Sequence, residues 1–471
     1  MSDAPEFVVV GRVNKGKSSI VATLAEEESV PISDEPGTTT ESRPYSAQAD
    51  GQVLFTLVDT PGFQDAPAAL EQIRKHRTDA SVSDAAVRAF VDTYRGAREF
   101  AEETRLLAPI LKGGRILYVV DGTVPYSSDY EAEMEILRWT GRPRMALVNR
   151  IGSGNHIEEW KKALGQYFSI VREFDANRAG FGDRIRLLES FRELDDGARA
   201  SLDRAIGILR AEQERRRRES ARVISSLLAA ALTQRVELQL KPGEHERDRH
   251  GEALETLQNQ LRDAERRAHG GIFELYRFRR VKAAELSFAG LQEDLFAEKT
   301  WKELGLTHGQ LFVAGTLGGA AIGLMIDLAA GGHTFLLPSV IGGVVGGTTA
   351  LVRSGRKLGS GWKIVEHLMG GARVARYGPL GKDNLPWILL DRALIYTRAI
   401  STRAHSVQGE LGVSEKDSIV RSLPADQRAG ATKLFARIAK HAPTPPDDLL
   451  TDLREWVERR LETLEWEKQP G

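Results

Sequence analysis

Residues 11–18 place two glycines, a lysine and a serine in the pattern G-x-x-x-x-G-K-S, which suits the binding of phosphate groups. The glycines let the backbone turn its N–H groups inward onto phosphate oxygens, and a following helix would add the positive end of its dipole. In such a loop, Lys17 contacts the β- and γ-phosphates and the Ser18 hydroxyl ligates Mg²⁺. A valine run at 8–10 precedes the loop, and a helix is expected over 19–27. The sequence therefore predicts a nucleoside triphosphate site at the end of a buried strand.

Two more polar stretches could complete the chemistry of this site. Asp59 follows an alternating strand pattern at 53–58, where a carboxylate can hold Mg²⁺ through water. Gly62, three residues later, can give its N–H to a γ-phosphate. The threonines of residues 36–40 lie between the loop and Asp59, where a hydroxyl could bind the metal. A single Asp-x-x-Gly is usually an ordinary turn, but the order and spacing of these stretches favour a metal-assisted triphosphate site.

These three stretches resemble the first three motifs of bacterial Era/Der/MnmE-type GTPases of the TRAFAC class. The motifs are Gly11-Arg12-Val13-Asn14-Lys15-Gly16-Lys17-Ser18, Pro36-Gly37-Thr38-Thr39 and Asp59-Thr60-Pro61-Gly62. The resemblance covers residues 1–178, and the whole chain resembles bacterial proteins that join such a domain to a C-terminal domain of unknown function. It implies GTP and GDP as ligands, with Mg²⁺ as the cofactor.

The resemblance also implies which residues surround the nucleotide. They are Gly11, Asn14, Lys15, Gly16, Lys17, Ser18, Ser19, Thr39, Asp59, Gly62, Asn149, Arg150, Asp175 and Ala176. The expected catalytic residues are Lys17, Thr39 and Gly62, and the expected Mg²⁺ ligands are Ser18, Thr39 and Asp59. Thr38 and Thr40 remain register alternatives to Thr39. Asn14 occupies the position of a loop asparagine that helps to hold an activating K⁺ in some relatives. Asparagine is also common in tight loops, so the use of K⁺ stays open.

The residues expected to read the base depart from the family pattern. Asn149-Arg150-Ile151-Gly152 stands where these GTPases carry Asn-Lys-x-Asp, so Gly152 replaces the carboxylate that pairs with guanine. Losing such a charge-assisted contact costs about 2–4 kcal/mol of guanine preference. After the strand 170–174, the N–H of Ala176 would meet the base oxygen, and Asp175 is a candidate substitute carboxylate. The choice between GTP and ATP therefore stays open.

The residue that orients water in small signalling GTPases is also replaced. Phe63 follows Gly62 where those proteins place a glutamine, and Gln64 is one position off. One position reverses the direction of a side chain in an extended segment. We therefore expect slow GTP hydrolysis that K⁺, homodimerisation or a protein partner at the switch segments accelerates. A nucleotide-regulated membrane scaffold with little hydrolysis and a P-loop ATPase are the alternatives.

The pattern of elements predicts an α/β P-loop NTPase domain over residues 1–178, with a mostly parallel sheet and helices on both faces. Apolar strands are expected at 115–120, 145–148 and 170–174, and a polar residue follows each of them. Residues 66–113 are too long for a simple connection and predict a helical insertion.

The rest of the chain predicts a mainly α-helical region. Residues 179–300 indicate a stalk or bundle of two long antiparallel helices, the first over 181–238. The arginine run 215–218 is interpreted as a solvated face paired with glutamates, or as a contact with an anionic membrane. Residues 301–471 are expected to form a helical C-terminal domain, with amphipathic helices over 361–412 and 424–467.

Residues 311–352 predict a glycine-rich apolar helical hairpin. The stretches 311–330 and 334–352 carry a single charge, Asp327, and each could cross about 30 Å of hydrocarbon as a helix. Glycines at four-residue spacing allow close helix packing, and basic residues near both ends favour cytoplasmic ends at the inner membrane. Asp327 and Pro338 favour the alternative, a soluble hairpin buried in the C-terminal domain.

The composition limits the remaining classes. The 471 residues carry a formal net charge of −1, so no nucleic-acid partner is expected. There is no cysteine, which excludes disulfides and thiolate metal sites. The first residues lack the basic and apolar regions of a signal peptide, so the first domain is expected in the cytoplasm. The sequence thus predicts a GTP-binding switch coupled to a helical domain that associates with a membrane or a partner.

Overall fold

The structure, a computed structural model, describes residues 4–27, 29–30, 41–77, 83–276, 295, 365–369, 372–379, 385–402 and 418–466. These residues divide into two compact units, the first comprising those up to Arg216 together with 400–402, and the second the remainder. Thr39 and the hairpin predicted over 311–352 lie outside the described residues, so both stay predictions.

Six strands build the sheet of the first unit. They are β1 (Glu6–Val10), β2 (Arg43–Ala49), β3 (Gln52–Asp59), β4 (Arg115–Asp121), β5 (Arg144–Asn149) and β6 (Ile170–Phe174). Their order across the sheet is β2-β3-β1-β4-β5-β6, and all neighbours pair in parallel except β2, which pairs antiparallel with β3. Parallel pairing puts the carboxyl ends of β1, β3, β4, β5 and β6 at one edge, where α/β proteins bind their ligands.

Helices cover both faces of this sheet. They are α1 (Lys17–Ala25), α2 (Ala66–Lys75), α3 (Ser83–Thr93), α4 (Ala101–Leu111), α5 (Glu131–Trp139), α6 (Ile157–Leu164) and α7 (Phe181–Leu194), and α8 (Arg199–Thr233) begins in this unit. Successive side chains of β1 enter two separate cores because they point to opposite faces of the sheet. Val8 and Val10 pack with α2 to α6, whereas Phe7 and Val9 pack with α1, α7 and the first turns of α8. The predicted α/β class is therefore confirmed.

The second unit combines helices with a small sheet. It contains the end of α8, β7 (Val236–Leu240), α9 (His250–Leu275), β8 (Val365–Met369), β9 (Ala372–Tyr377), most of α10 (Leu385–Thr402), α11 (Ile419–Ser422), α12 (Ala425–Lys440) and α13 (Asp447–Trp466). The three strands pair antiparallel in the order β7-β9-β8. The part of this unit that the structure describes is mainly helical, as the sequence predicts.

The small sheet corrects two of the predicted helices. Residues 236–240 form β7 although the first long helix is expected to reach 238. Residues 365–369 and 372–377 form strands within the stretch 361–412 that is expected to be helical. Val236 of β7 is in register with Tyr377 of β9 and packs with it in the same small core. Each strand is too short for its own pattern to outweigh the helical composition around it, because the partners that stabilise it are distant in sequence.

The arginine run over 215–218 makes ion pairs. They are Arg215–Glu212, Arg216–Glu212, Arg217–Glu458 and Arg218–Glu458. The run is paired, as expected, but it is not a wholly solvated face, because Arg216 is buried whereas Arg215 and Arg218 are exposed. Across the described ranges, no helix combines the length and the hydropathy needed to cross a membrane.

Candidate nucleotide-binding site

The loop between β1 and α1 has the backbone shape that its glycines allow. Gly11 has a φ of +143° and Gly16 a φ of +79°, in the region that favours glycine. A Cβ on Gly11 would lie 2.3 Å from the carbonyl oxygen of Val119, and a Cβ on Gly16 would lie 2.3 Å from Nδ2 of Asn149. Both positions therefore require glycine for close packing as well as for backbone conformation.

Lys17, the first residue of α1, is buried beside this loop, with 7% of its surface exposed. Its Nζ donates a hydrogen bond of 2.9 Å to the carbonyl oxygen of Arg12. Burial lowers the pKa of Lys17 to about 8, and the charges of Asp59 and Glu133 oppose this effect. The ammonium group is thus still mostly protonated at neutral pH, and it can offer its charge to a phosphate.

Ser18 and Asp59 meet where Mg²⁺ is expected. The Ser18 hydroxyl donates a hydrogen bond of 2.8 Å to Oδ2 of Asp59, whose side chain is buried at the end of β3. A hydroxyl beside a carboxylate offers hard oxygen atoms, the ligands that Mg²⁺ takes together with phosphate oxygens and water. The two residues therefore fit the ion. Ser19, the next residue of α1, is half-buried, and Thr39 lies outside the described residues.

The segment after Asp59 lies directly against the phosphate loop. The Thr60 hydroxyl donates a hydrogen bond of 2.7 Å to the carbonyl oxygen of Val9. Gly62 has no room for a side chain, since a Cβ there would lie 2.7 Å from the backbone nitrogen of Val13. The structure thus brings Gly62 next to the loop, as its predicted role requires.

The two residues that follow do not offer a glutamine at the predicted position. Phe63 is buried in the apolar core, whereas Gln64 is exposed. The backbone N–H groups of Gln64 and Asp65 both donate hydrogen bonds of 2.8 Å to Oε1 of Glu103, a buried residue of α4 that no motif in the sequence indicates. This carboxylate fixes the backbone at the start of α2.

Asn149 connects the phosphate loop with the loop after β6. Its Nδ2 donates a hydrogen bond of 3.2 Å to the carbonyl oxygen of Lys15, and its Oδ1 accepts one of 3.2 Å from the N–H of Ala176. Thr23 of α1 donates a further bond of 2.8 Å to the carbonyl oxygen of Ala176. The predicted phosphate and base regions are therefore joined by one buried amide side chain.

The rest of the predicted base region lies at the carboxyl ends of β5 and β6. Arg150 is exposed and forms an ion pair of 3.3 Å with Glu173, whose other oxygen lies 2.6 Å from Lys161. The hydrogen bond from Lys161, supported by Arg150, lowers the pKa of Glu173. Gly152 brings no carboxylate, and a Cβ on it would lie 3.2 Å from Oγ1 of Thr123.

Three further predicted residues lie around the loops of the site. Asn14 is exposed and adopts a left-handed φ of 59°. Lys15 forms an ion pair of 3.5 Å with Asp121, the last residue of β4. Oδ1 of Asp175 accepts a hydrogen bond of 3.0 Å from the N–H of Asn177, which closes the turn after β6.

Arg12 belongs to a polar cluster that no motif in the sequence indicates. Its Nε donates a hydrogen bond of 2.5 Å to Oε1 of Glu133, its Nη2 donates one of 2.7 Å to the carbonyl oxygen of Asp129, and its Cζ lies 3.7 Å above the ring centre of Tyr130. Glu133 is 1% exposed, and it also accepts a bond of 3.0 Å from the Tyr118 hydroxyl. Burial raises the pKa of Glu133. No local pattern predicts this pair, because 121 positions separate its members.

Two family models match this chain. A model described as "Domain of unknown function (DUF3482)" matches residues 161–462, and one described as "50S ribosome-binding GTPase" matches residues 6–150. Among curated proteins, the tRNA modification GTPase MnmE of Geobacillus thermodenitrificans is 28% identical over 199 residues, which are 42% of this chain and 42% of that protein. GTPase Der of Halorhodospira halophila is 35% identical over 126 residues, which are 25% of this chain and 26% of that protein. The chain thus spans about two fifths or less of the curated relatives it matches.

Solved structures also resemble part of the chain. Aquifex aeolicus Era bound to GDP·AlF4⁻ is 19% identical, with a TM-score of 0.24, over 37% of this chain and 52% of that chain. A structure of Era in complex with MgGDPNP and nucleotides 1506–1542 of 16S ribosomal RNA is 19% identical, with a TM-score of 0.26, over 37% of this chain and 52% of that chain. The family model over 6–150 and the curated relatives, rather than these structures, identify the N-terminal region as a GTPase domain.

Proposed function

Since the chain belongs to the DUF3482 family and carries an N-terminal GTPase domain, we propose that it acts as a guanine-nucleotide switch. It binds GTP and GDP with Mg²⁺ and hydrolyses GTP slowly. One observation carries the proposal: Lys17, Ser18 and Asp59 converge at the carboxyl ends of β1 and β3, and Asn149 joins that point to the loop after β6.

The residues of the loop bind and orient the phosphates. Lys17, when protonated, gives its Nζ hydrogen bond to phosphate oxygens instead of the Arg12 carbonyl oxygen. Gly62 packs against the loop at Val13, and its N–H is proposed to donate to the γ-phosphate. Ser18 and Asp59 would hold Mg²⁺, which neutralises negative charge on the phosphates. Thr39 is proposed as a further ligand on the strength of the sequence motif alone.

Slow hydrolysis follows from the segment after Gly62. Phe63 has no polar atom to orient water and packs into the core, and the backbone of Gln64 is fixed by Glu103. The group that activates water must then come from elsewhere. It is a side chain of a partner or of a second copy of the chain, or it is a K⁺ ion held with Asn14. A nucleotide-regulated scaffold that scarcely hydrolyses GTP is the rival function that the same observation favours.

The nucleotide state would reach the second unit through α8. The first turns of this helix belong to the first unit, and its later turns belong to the second. Arg216 of α8 binds Glu26 with a hydrogen bond of 2.9 Å, and Glu26 ends α1, the helix that starts in the phosphate loop. A change at either end of α1 can therefore be transmitted to α8. Membrane attachment through residues 311–352 stays a prediction.

Calorimetry with GTP, GDP and ATP in the presence of Mg²⁺ tests the nucleotide, using the full chain and its Lys17→Ala variant. We expect GTP and GDP to bind the unaltered chain and to lose at least 100-fold in affinity for the variant. Phosphate release in Na⁺ and K⁺ buffers, at two protein concentrations, then tests the activators. Binding of ATP alone would contradict the proposal, and equal rates in both salts and at both concentrations would remove K⁺ and dimerisation as activators.

A further inference from the structure

The base of a nucleotide bound in the phosphate loop must lie over the ends of β4, β5 and β6. Asp59 and the metal position occupy the end of β3, on the other side of β1, so the opposite direction is left for the base. The register pairs Asn149 of β5 with Phe174 of β6, so the loops that follow these strands begin at the same level. Residues 150–152 and 175–177 therefore flank the base.

Guanine needs an acceptor at this place. Its N1–H and 2-amino groups are donors that point in the same direction, and a carboxylate can accept both of them. Three carboxylates stand at the ends of these strands in the part of the chain that the structure describes, namely Asp121, Glu173 and Asp175.

Two of these carboxylates already have strong partners. Oδ1 of Asp121 accepts hydrogen bonds of 2.9 Å and 2.6 Å from the N–H and the hydroxyl of Thr123, and its Oδ2 faces Lys15. Glu173 is held between Arg150 and Lys161. A base recruited to either carboxylate would compete with these cationic or hydrogen-bonding partners for the same oxygens.

Asp175 keeps capacity to accept hydrogen bonds. Its Oδ1 binds the N–H of Asn177, and its Oδ2 lies 3.9 Å from Nε of Arg178, which is too far for a hydrogen bond. A carboxylate offers about four acceptor sites. The side chain is 25% exposed, and it directly precedes Ala176, whose N–H is bound to Asn149. Its carboxylate therefore lies at the edge of the base region and remains accessible.

We propose that Asp175 determines the choice of guanine, its carboxylate accepting the N1–H and the 2-amino group in place of a carboxylate at Gly152. This inference rests on the proposed function, since it requires a nucleotide in this site. Adenine presents a lone pair at N1 and so is repelled by the same carboxylate. Hypoxanthine keeps the N1–H but lacks the amine, and xanthine replaces the amine with a carbonyl group.

Competition of GDP, IDP, XDP and ADP against a fluorescent GDP analogue tests the inference on the full chain. The unaltered chain should prefer GDP to IDP by at least about tenfold, the value of one hydrogen bond to a charged group. Asp175→Asn keeps an oxygen for the Asn177 N–H but removes the charge. The affinity for GDP should fall about 10- to 100-fold, and the ratio of the GDP and IDP affinities should fall to within about threefold. The affinity for XDP should rise relative to that for GDP.

The matched control removes a different carboxylate of the same unit. Glu158 of α6 is exposed and pairs with its neighbour Lys161 across one helical turn, so Glu158→Gln should leave all four affinities unchanged within about twofold. Selective GDP binding that Asp175→Asn does not alter would overturn the inference but leave the nucleotide switch intact. Equal binding of GDP and IDP by the unaltered chain would also overturn it. A chain that binds none of the four nucleotides would instead contradict the proposed function itself.

Discussion

Replacing Arg12 by methionine tests the ion pair that joins the phosphate loop to Glu133 of α5, in which only Glu133 is fully buried. The change keeps an apolar stem over Tyr130 but removes the guanidinium that binds Glu133. Glu133 is 1% exposed, and in the variant it keeps the Tyr118 hydroxyl as a hydrogen-bond partner. In the variant, the buried carboxylate of Glu133 therefore loses its charged partner and keeps one hydrogen bond.

The expected loss in the free energy of unfolding depends on how far the Arg12 and Glu133 side chains are exposed. Removing one partner of a buried ion pair costs about 3–5 kcal/mol, because the other charge stays buried. Arg12 is 31% exposed, so part of the charge was already in contact with water, and we expect about 3 kcal/mol. Glu133→Gln leaves a guanidinium that can reach water, and should cost only about 1 kcal/mol. The double variant should fall short of the sum by about 2 kcal/mol, which is the coupling energy of the pair.

The pH dependence gives a second, independent sign. Burial raises the pKa of Glu133, while the hydrogen bond and charge of Arg12 hold it down. Without Arg12 this pKa rises further above its unfolded value, so the native variant takes up a proton as the pH falls towards that unfolded value. The free energy of unfolding that Arg12→Met loses relative to the unaltered chain should therefore be smaller at pH 5 than at pH 7.5.

Chemical denaturation of the full chain measures the changes in the free energy of unfolding. Hydrogen exchange of peptides from α5 and the phosphate loop shows whether the change occurs in these two segments. Exchange protection of both segments should fall together in Arg12→Met and recover in part when Glu133→Gln is added. The reasoning is refuted if Arg12→Met costs less than about 0.5 kcal/mol, or if the two changes are additive. A loss that grows at pH 5 would refute the electrostatic explanation.

Three further predictions concern other parts of the chain. The affinity for GDP should fall about tenfold from pH 7 to pH 9, because a pKa of about 8 leaves roughly a tenth of Lys17 protonated at pH 9, whereas Lys17→Arg should remain flat in the same titration. Gly16→Ala should lower GDP affinity by at least about 100-fold, since its Cβ would meet the Asn149 side chain; Gly51→Ala is the control, with a similar φ of +74° and nothing within 4 Å. Burial lowers the pKa of His269 to about 4, so the second unit should lose about 3 kcal/mol of stability as the pH falls from 6.5 to 4, and urea unfolding of His269→Phe should lack this loss.

Short-range sequence patterns were enough to predict the phosphate loop and the elements on either side of it. The glycine conformations at 11 and 16, the strand over 6–10 and the helix from Lys17 depend on residues a few positions apart, so a short pattern is enough to predict them. The carboxyl-end position of Asp59 follows from the same local alternation. The family model over 6–150 confirms the GTPase domain that these motifs predicted.

The contacts between distant side chains became known from the folded structure alone. The Arg12–Glu133 pair, the Glu103 carboxylate that binds two backbone N–H groups, and the pairing of β7 with β9 all join residues that are distant in sequence. Such contacts depend on packing in three dimensions and leave no periodic signal along the chain. The base region depends on the sequence and on the tertiary structure. The sequence shows that Gly152 replaces the carboxylate of the family motif. The structure distinguishes Asp175 from Asp121 and Glu173, which already have strong partners.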